Sequence, residues 1–132
     1  MDILLLQAKI DALAKRMYPV PLPDGPSIYF ISLENDCMFL HLSLKKPADQ
    51  ILKECEDTYE YVKVNRPVKI VYEMKPYDIY EVDTLVKKFM HMFGQDKTRG
   101  GSYTSIELNH HQVNTLKSEF DFVNQYTNYT NK

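Results

Sequence analysis

Along the chain, apolar positions change their spacing several times, and each change predicts a new element. From 2 to 18 they recur at Ile3, Leu6, Ile10, Leu13 and Met17, in alternating steps of three and four residues. That spacing predicts an amphipathic helix with Asp2 as its N-cap and Lys9, Asp11, Lys15 and Arg16 on other faces. Two heptads are too short to persist alone in water, so the seam must dock on its own domain, on a partner protein or on a second copy. The next block, 19–26, carries four prolines (Pro19, Pro21, Pro23 and Pro26) and reads as a semi-rigid spacer.

Two apolar runs, Ile28 to Leu33 and Met38 to Leu42, flank Glu34-Asn35-Asp36 and predict an antiparallel hairpin. Pro47 suits the first turn of a helix reaching about Cys55, with Ile51, Leu52 and Cys55 on its apolar side. Pro67 to Tyr72, rich in β-branched residues, reads as a third strand. Helical periodicity returns at Val82, Leu85, Val86, Phe89, Met90 and Phe93, predicting a helix over 80–93 that Gly94 ends. Arg99-Gly100-Gly101-Ser102 reads as a turn. A last helix starts at Asn109 with Gln112 as capping-box partner and buries Val113, Leu116, Phe120 and Val123. The polar stretch 124–132 reads as a loose tail. The expected fold is α+β: a small three-stranded antiparallel sheet flanked by helices, occupying 27–123, with the amphipathic helix 1–18 in front of it.

Composition narrows the function classes. No stretch approaches the roughly 20 apolar residues that span a bilayer, so no membrane is expected. Cys37 and Cys55 form no disulfide framework or zinc motif and read as reduced thiols in an intracellular protein, cytoplasmic or nuclear. The net charge of −2 lacks the basic surplus with which proteins neutralise nucleic-acid phosphates. Nucleic acid is therefore possible through a local patch but not favoured. The best such patch is Lys87, Lys88, Lys97 and Arg99 beside Gly100, Gly101 and Ser102, whose backbone N–H groups could form an anion-binding nest. A glycine turn beside a solvated helix face is the plainer reading of the same residues.

Ser27-Ile28-Tyr29 and Phe39-Leu40-His41, on successive predicted strands, resemble the paired signatures of the GIY-YIG nuclease domain. The likeness continues through Pro47-Ala48-Asp49-Gln50-Ile51, the stretch Tyr61 to Lys69, and the helix ending at Gly94. Thr98-Arg99-Gly100-Gly101-Ser102-Tyr103 looks like an extension found behind such domains in large DNA viruses and some eukaryotes. Together these cover about residues 27–120. The resemblance implies a virus-encoded protein or virion component.

Position by position, the chemistry that the resemblance implies is depleted. Tyr29 is retained, but Phe39 lacks the hydroxyl that would relay a proton or bind phosphate. His41 replaces a glycine, Gln50 an arginine, and Glu54 a frequent histidine. Val82 stands where a metal-binding glutamate is expected and cannot ligate a cation. Rescue would need Glu81 or Asp83 to hold Mg²⁺, His41 to act as base, and Lys45 or Lys46 to replace the arginine.

Two function classes follow. One is a catalytically inactive GIY-YIG-like domain kept as a protein-interaction or structural module, with no cofactor, binding through Ile3, Leu6, Ile10, Leu13 and Met17. The other is a diverged Mg²⁺-dependent DNA endonuclease using Tyr29, His41 and Glu81 or Asp83. Non-catalytic DNA binding through the Lys87–Arg99 region lies between them. A working nuclease requires a carboxylate, Tyr29 and a cation to converge in one open cleft.

Overall fold

A computed structural model describes residues 3–17 and 25–126, the side chains of 11–17 excepted. Its elements are α1 (Ile3–Met17), β1 (Ser27–Leu33), β2 (Met38–Ser43), α2 (Ala48–Thr58) and α3 (Glu60–Val64). They continue as β3 (Pro67–Met74), α4 (Glu81–Phe93), β4 (Thr98–Gly100) and α5 (His110–Tyr126). Residues 18–24, most of the proline-rich spacer, and the tail beyond 126 lie outside the described residues.

The sheet has four strands rather than three and is mixed, in the order β3-β1-β2-β4. β1 pairs antiparallel with both β2 and β3, while β4 runs parallel to β2. A position inside the sheet explains why β1 is apolar on both faces: Tyr29, Ile31 and Leu33 point one way and Ile28 and Phe30 the other. The first set packs with Cys37 and Phe39 against Ile51 and Cys55 of α2 and Tyr61 and Val62 of α3. The second packs with Leu40 against Val82, Val86 and Met90 of α4 and Leu116 of α5. The domain therefore has three layers, with helices on both faces of one sheet.

The hairpin turn closes as a 3₁₀ turn over Glu34–Asp36, with Asn35 and Asp36 at positive φ. Asn and Asp accept that conformation more readily than most side chains. At the start of α5 the capping box forms as predicted: Gln112 N–H donates to Asn109 Oδ1 at 2.8 Å, and Asn109 N–H donates to Gln112 Oε1 at 3.1 Å. Several boundaries move. α2 continues to Thr58, a further short helix, α3, follows it from Glu60, β3 runs on to Met74, and α5 runs to Tyr126 through residues expected in the tail.

Two predicted turn residues, Arg99 and Gly100, belong to β4, which pairs with Phe39 and Leu40. Gly100, at φ 141°, lies so close to β2 that a Cβ there would stand 2.3 Å from the Leu40 carbonyl oxygen. That approach fixes the parallel pairing and places the following turn, Gly101-Ser102, over the start of α4.

Candidate functional site

β4 accompanies β2 only from Met38 to Leu40. Beyond Leu40, among the described residues, no strand covers that edge of β2, and a cleft of about 380 Å³ opens there. His41 and Leu42 form its floor with Phe39 and Leu40, and Tyr59 stands at the junction of α2 and α3. The opposite wall comes from the start of α4, with Ile79, Tyr80, Val82 and Asp83, and from Gly101 and Ser102.

His41 is half-buried, edge-on to the Tyr59 ring with centroids 5.9 Å apart. Burial lowers its pKa below the usual imidazole value; the nearby Glu54 carboxylate opposes this shift and Lys46 adds to it. Glu54 is itself held by Lys46 at 2.8 Å and accepts a weaker bond from Gln50 at 3.4 Å. The Lys46 hydrogen bond draws its pKa down. Lys45 is engaged with Glu73 at 3.1 Å. Gln50 and both candidate lysines are thus tied to carboxylates, and none of the three lines the cleft.

Tyr29 is the cross-strand neighbour of His41 but does not line the cleft. It is 2% exposed, and its hydroxyl has no hydrogen-bond partner among the described residues. Phe39 is buried against Tyr59, ring centroids 4.7 Å apart. Val82 is buried in the core beneath α4.

The two neighbouring carboxylates diverge. Glu81 turns back to accept the Tyr77 N–H at 2.8 Å. Asp83 faces the cleft and accepts two hydrogen bonds from Ser102, from the N–H at 2.8 Å and the hydroxyl at 2.6 Å. A carboxylate of the protein itself thereby takes the Ser102 N–H, one of the donors that could have formed an anion-binding nest. Gly101, at φ 53°, permits this closeness, since a Cβ there would stand 1.9 Å from Asp83 Oδ1. Of the two alternative Mg²⁺ ligands, Glu81 is turned away to the Tyr77 N–H, which leaves Asp83. Asp83 lines the cleft, and Ser102 donates one hydrogen bond to each of its oxygens, so it is a single carboxylate with part of its acceptor capacity in use. Among the described residues no three His, Cys, Asp or Glu side chains gather as a metal site.

The Lys87–Arg99 group does not act as one patch. Arg99 is 2% exposed and donates to the carbonyls of Ser105 (2.8 Å), Thr98 (2.9 Å), Ile106 (3.0 Å) and Gln95. Its guanidinium carbon lies 4.9 Å from the Tyr61 ring centre. Arg99 therefore ties the loop after β4 to the 3₁₀ turn that precedes it (Gln95–Lys97) and has no face left for phosphate. Lys87 pairs with Glu119 of α5 at 3.0 Å, which raises its pKa, and Lys97 donates to the Asn35 carbonyl at 3.0 Å. Lys88 remains exposed. His110 and His111 are exposed in the first turn of α5.

The described side chains of α1, residues 3–10, are all exposed, including Ile3 (77%), Leu6 (41%) and Ile10 (50%). The predicted seam residues Leu13 and Met17 lie outside the described side chains. Among the described residues no helix is long and apolar enough to cross a membrane.

Tyr59 and Tyr80 form cleft walls that sequence reasoning did not single out. No motif marks either ring, and no periodic signal joins positions so far apart in the chain. No family model, no curated protein and no solved structure matches the chain.

Proposed function

We propose that this is a GIY-YIG-like domain without nuclease activity, retained as a protein-interaction or structural module of a virus-encoded protein, with α1 as its contact element. The observation that carries this reading is the outward apolar side of α1. Ile3, Leu6 and Ile10 lie at helical spacing and remain exposed. Full burial is worth about 1.5–3 kcal/mol for such a side chain, most of which is still to be gained at Ile3 and about half at Leu6 and Ile10. The state of the cleft agrees. Phe39 and Val82 are core residues, Gln50 is hydrogen-bonded to Glu54, and Asp83 is held by Ser102.

The test is association of the full chain. Sedimentation measures self-association, and co-purification with proteins of the source measures binding to other partners. A triple variant, Ile3→Asp, Leu6→Asp and Ile10→Asp, should keep the fold and lose the complex. An association that survives the three substitutions refutes the assignment to α1.

The endonuclease alternative has one observation in its favour, that His41 and Asp83 share the cleft. It lacks a cation among the lining residues, and Tyr29 is buried and does not line the cleft.

A further inference from the structure

The cleft beside β2 has a chemistry of its own, separate from α1. Its floor is a strand edge that no other strand covers from His41 to Ser43 among the described residues. Such an edge offers backbone N–H and C=O groups to an added extended chain. Above it stand two tyrosines, Tyr59 half-buried and Tyr80 74% exposed, with Ile79 beside them. An exposed tyrosine ring next to an open strand edge gives a partner side chain a flat, electron-rich face.

Charge decides which side chain. Among the described residues, Asp83 is the only Asp, Glu, Lys or Arg lining the cleft. Ser102 donates one hydrogen bond to each of its oxygens, which fixes the carboxylate without neutralising it. A carboxylate offers about four acceptor positions, so about two remain open. Asp78 and Glu81, at the same end of α4, add to the negative sign. They outweigh the roughly half positive charge of the helix N-terminus. A phosphate would meet a fixed negative charge with no cation to offset it. An all-apolar segment would desolvate the Asp83 charge with only the two neutral Ser102 donors to compensate it. A guanidinium or ammonium group satisfies the carboxylate and stacks on tyrosine at once.

We propose that this cleft is a docking site for an extended segment of a partner protein. The segment would lie along His41–Ser43 and place an Arg or Lys side chain between Tyr80 and Asp83. Recognition combines backbone pairing on β2, a cation over an aromatic face, and a charge-assisted bond to a carboxylate that Ser102 holds in position. The site takes a positively charged peptide and rejects an anion.

Selection of displayed random twelve-residue peptides on the full chain provides the probe, followed by anisotropy titration of the recovered peptides. Recovered sequences should carry Arg or Lys in excess over the library. Tyr80→Ala should weaken their binding about tenfold, as should Asp83→Asn, which keeps an acceptor for Ser102. The shifted backbone amides should fall at His41–Ser43 and Ser102. An Ile10→Asp variant should bind the same peptides unchanged, which keeps failure of this site distinct from failure of α1. No recovered peptide, no cationic excess, or affinity indifferent to both cleft variants overturns the proposal. So does a single-stranded oligonucleotide that shifts the same amides at lower concentration than the peptides.

Discussion

Ser102 donates two hydrogen bonds to Asp83, one from its backbone N–H at 2.8 Å and one from its hydroxyl at 2.6 Å. The two lie nineteen positions apart in the chain, so this pair fastens the turn after β4 to the first turn of α4. It also shapes one wall of the cleft.

Removing the hydroxyl should loosen that fastening. Ser102→Ala keeps the N–H bond and should cost about 1 kcal/mol, the usual net worth of one such bond. Asp83→Ala should cost somewhat more. The double variant should fall short of the sum, because both changes break the same contact. Urea melts of the four proteins give the coupling directly, and strict additivity would show that the pair does not interact in solution.

Arg99 should behave as a core residue. Arg99→Met leaves the carbonyls of Ser105, Ile106 and Gln95 without their donor and should cost about 3 kcal/mol or more. Arg99→Lys should rescue only in part, since one ammonium cannot reproduce the fork that reaches carbonyls on both sides. Thermal melting distinguishes this from a surface phosphate contact, which either substitution would leave almost unchanged in stability.

Gly100→Ala tests the close approach of β4 to β2. The added methyl would meet the Leu40 carbonyl oxygen at 2.3 Å, on a backbone at φ 141° that alanine avoids. Strain of this kind costs about 1–3 kcal/mol from the backbone alone. The variant should melt well below the parent and lose amide-exchange protection in β4. A neutral effect would contradict the parallel pairing.

His41 should make stability depend on pH. Its pKa is lowered in the folded protein, chiefly by burial, from an ordinary value of about 6.5. Above that value both states are neutral there and the full stability is present. As pH falls through the lowered folded value, the unfolded chain takes up the proton first and stability drops. Urea midpoints should therefore decline from pH 7.5 towards 5.5, and His41→Gln should flatten the decline. An unchanged slope in the variant would assign the effect elsewhere.

Much of the fold was legible in the residue pattern because local forces set it. The α4 periodicity at Val82, Val86 and Met90 places those three in the core, and Asn109 with Gln112 marks the start of α5. β4 was not legible. Thr98-Arg99-Gly100 is too short to alternate and pairs with a strand sixty residues away. The burial of Arg99 was hidden for the same reason, since its acceptors Gln95, Ser105 and Ile106 come from the segments on either side of β4. At α3 the charges of Glu56, Asp57 and Glu60 masked Tyr61 and Val62, which face the core. Asp83 and His41 both line the cleft, whereas Tyr29 is buried and does not line it.

The most direct measurement is cleavage of nicked, flapped and branched DNA by the full chain with Mg²⁺ and with Mn²⁺, run beside Tyr29→Phe and Asp83→Asn. A module without catalysis leaves all three substrates intact under both metals. Metal-dependent cutting that either variant abolishes would contradict that claim and make the cleft between β2 and α4 a rebuilt nuclease site.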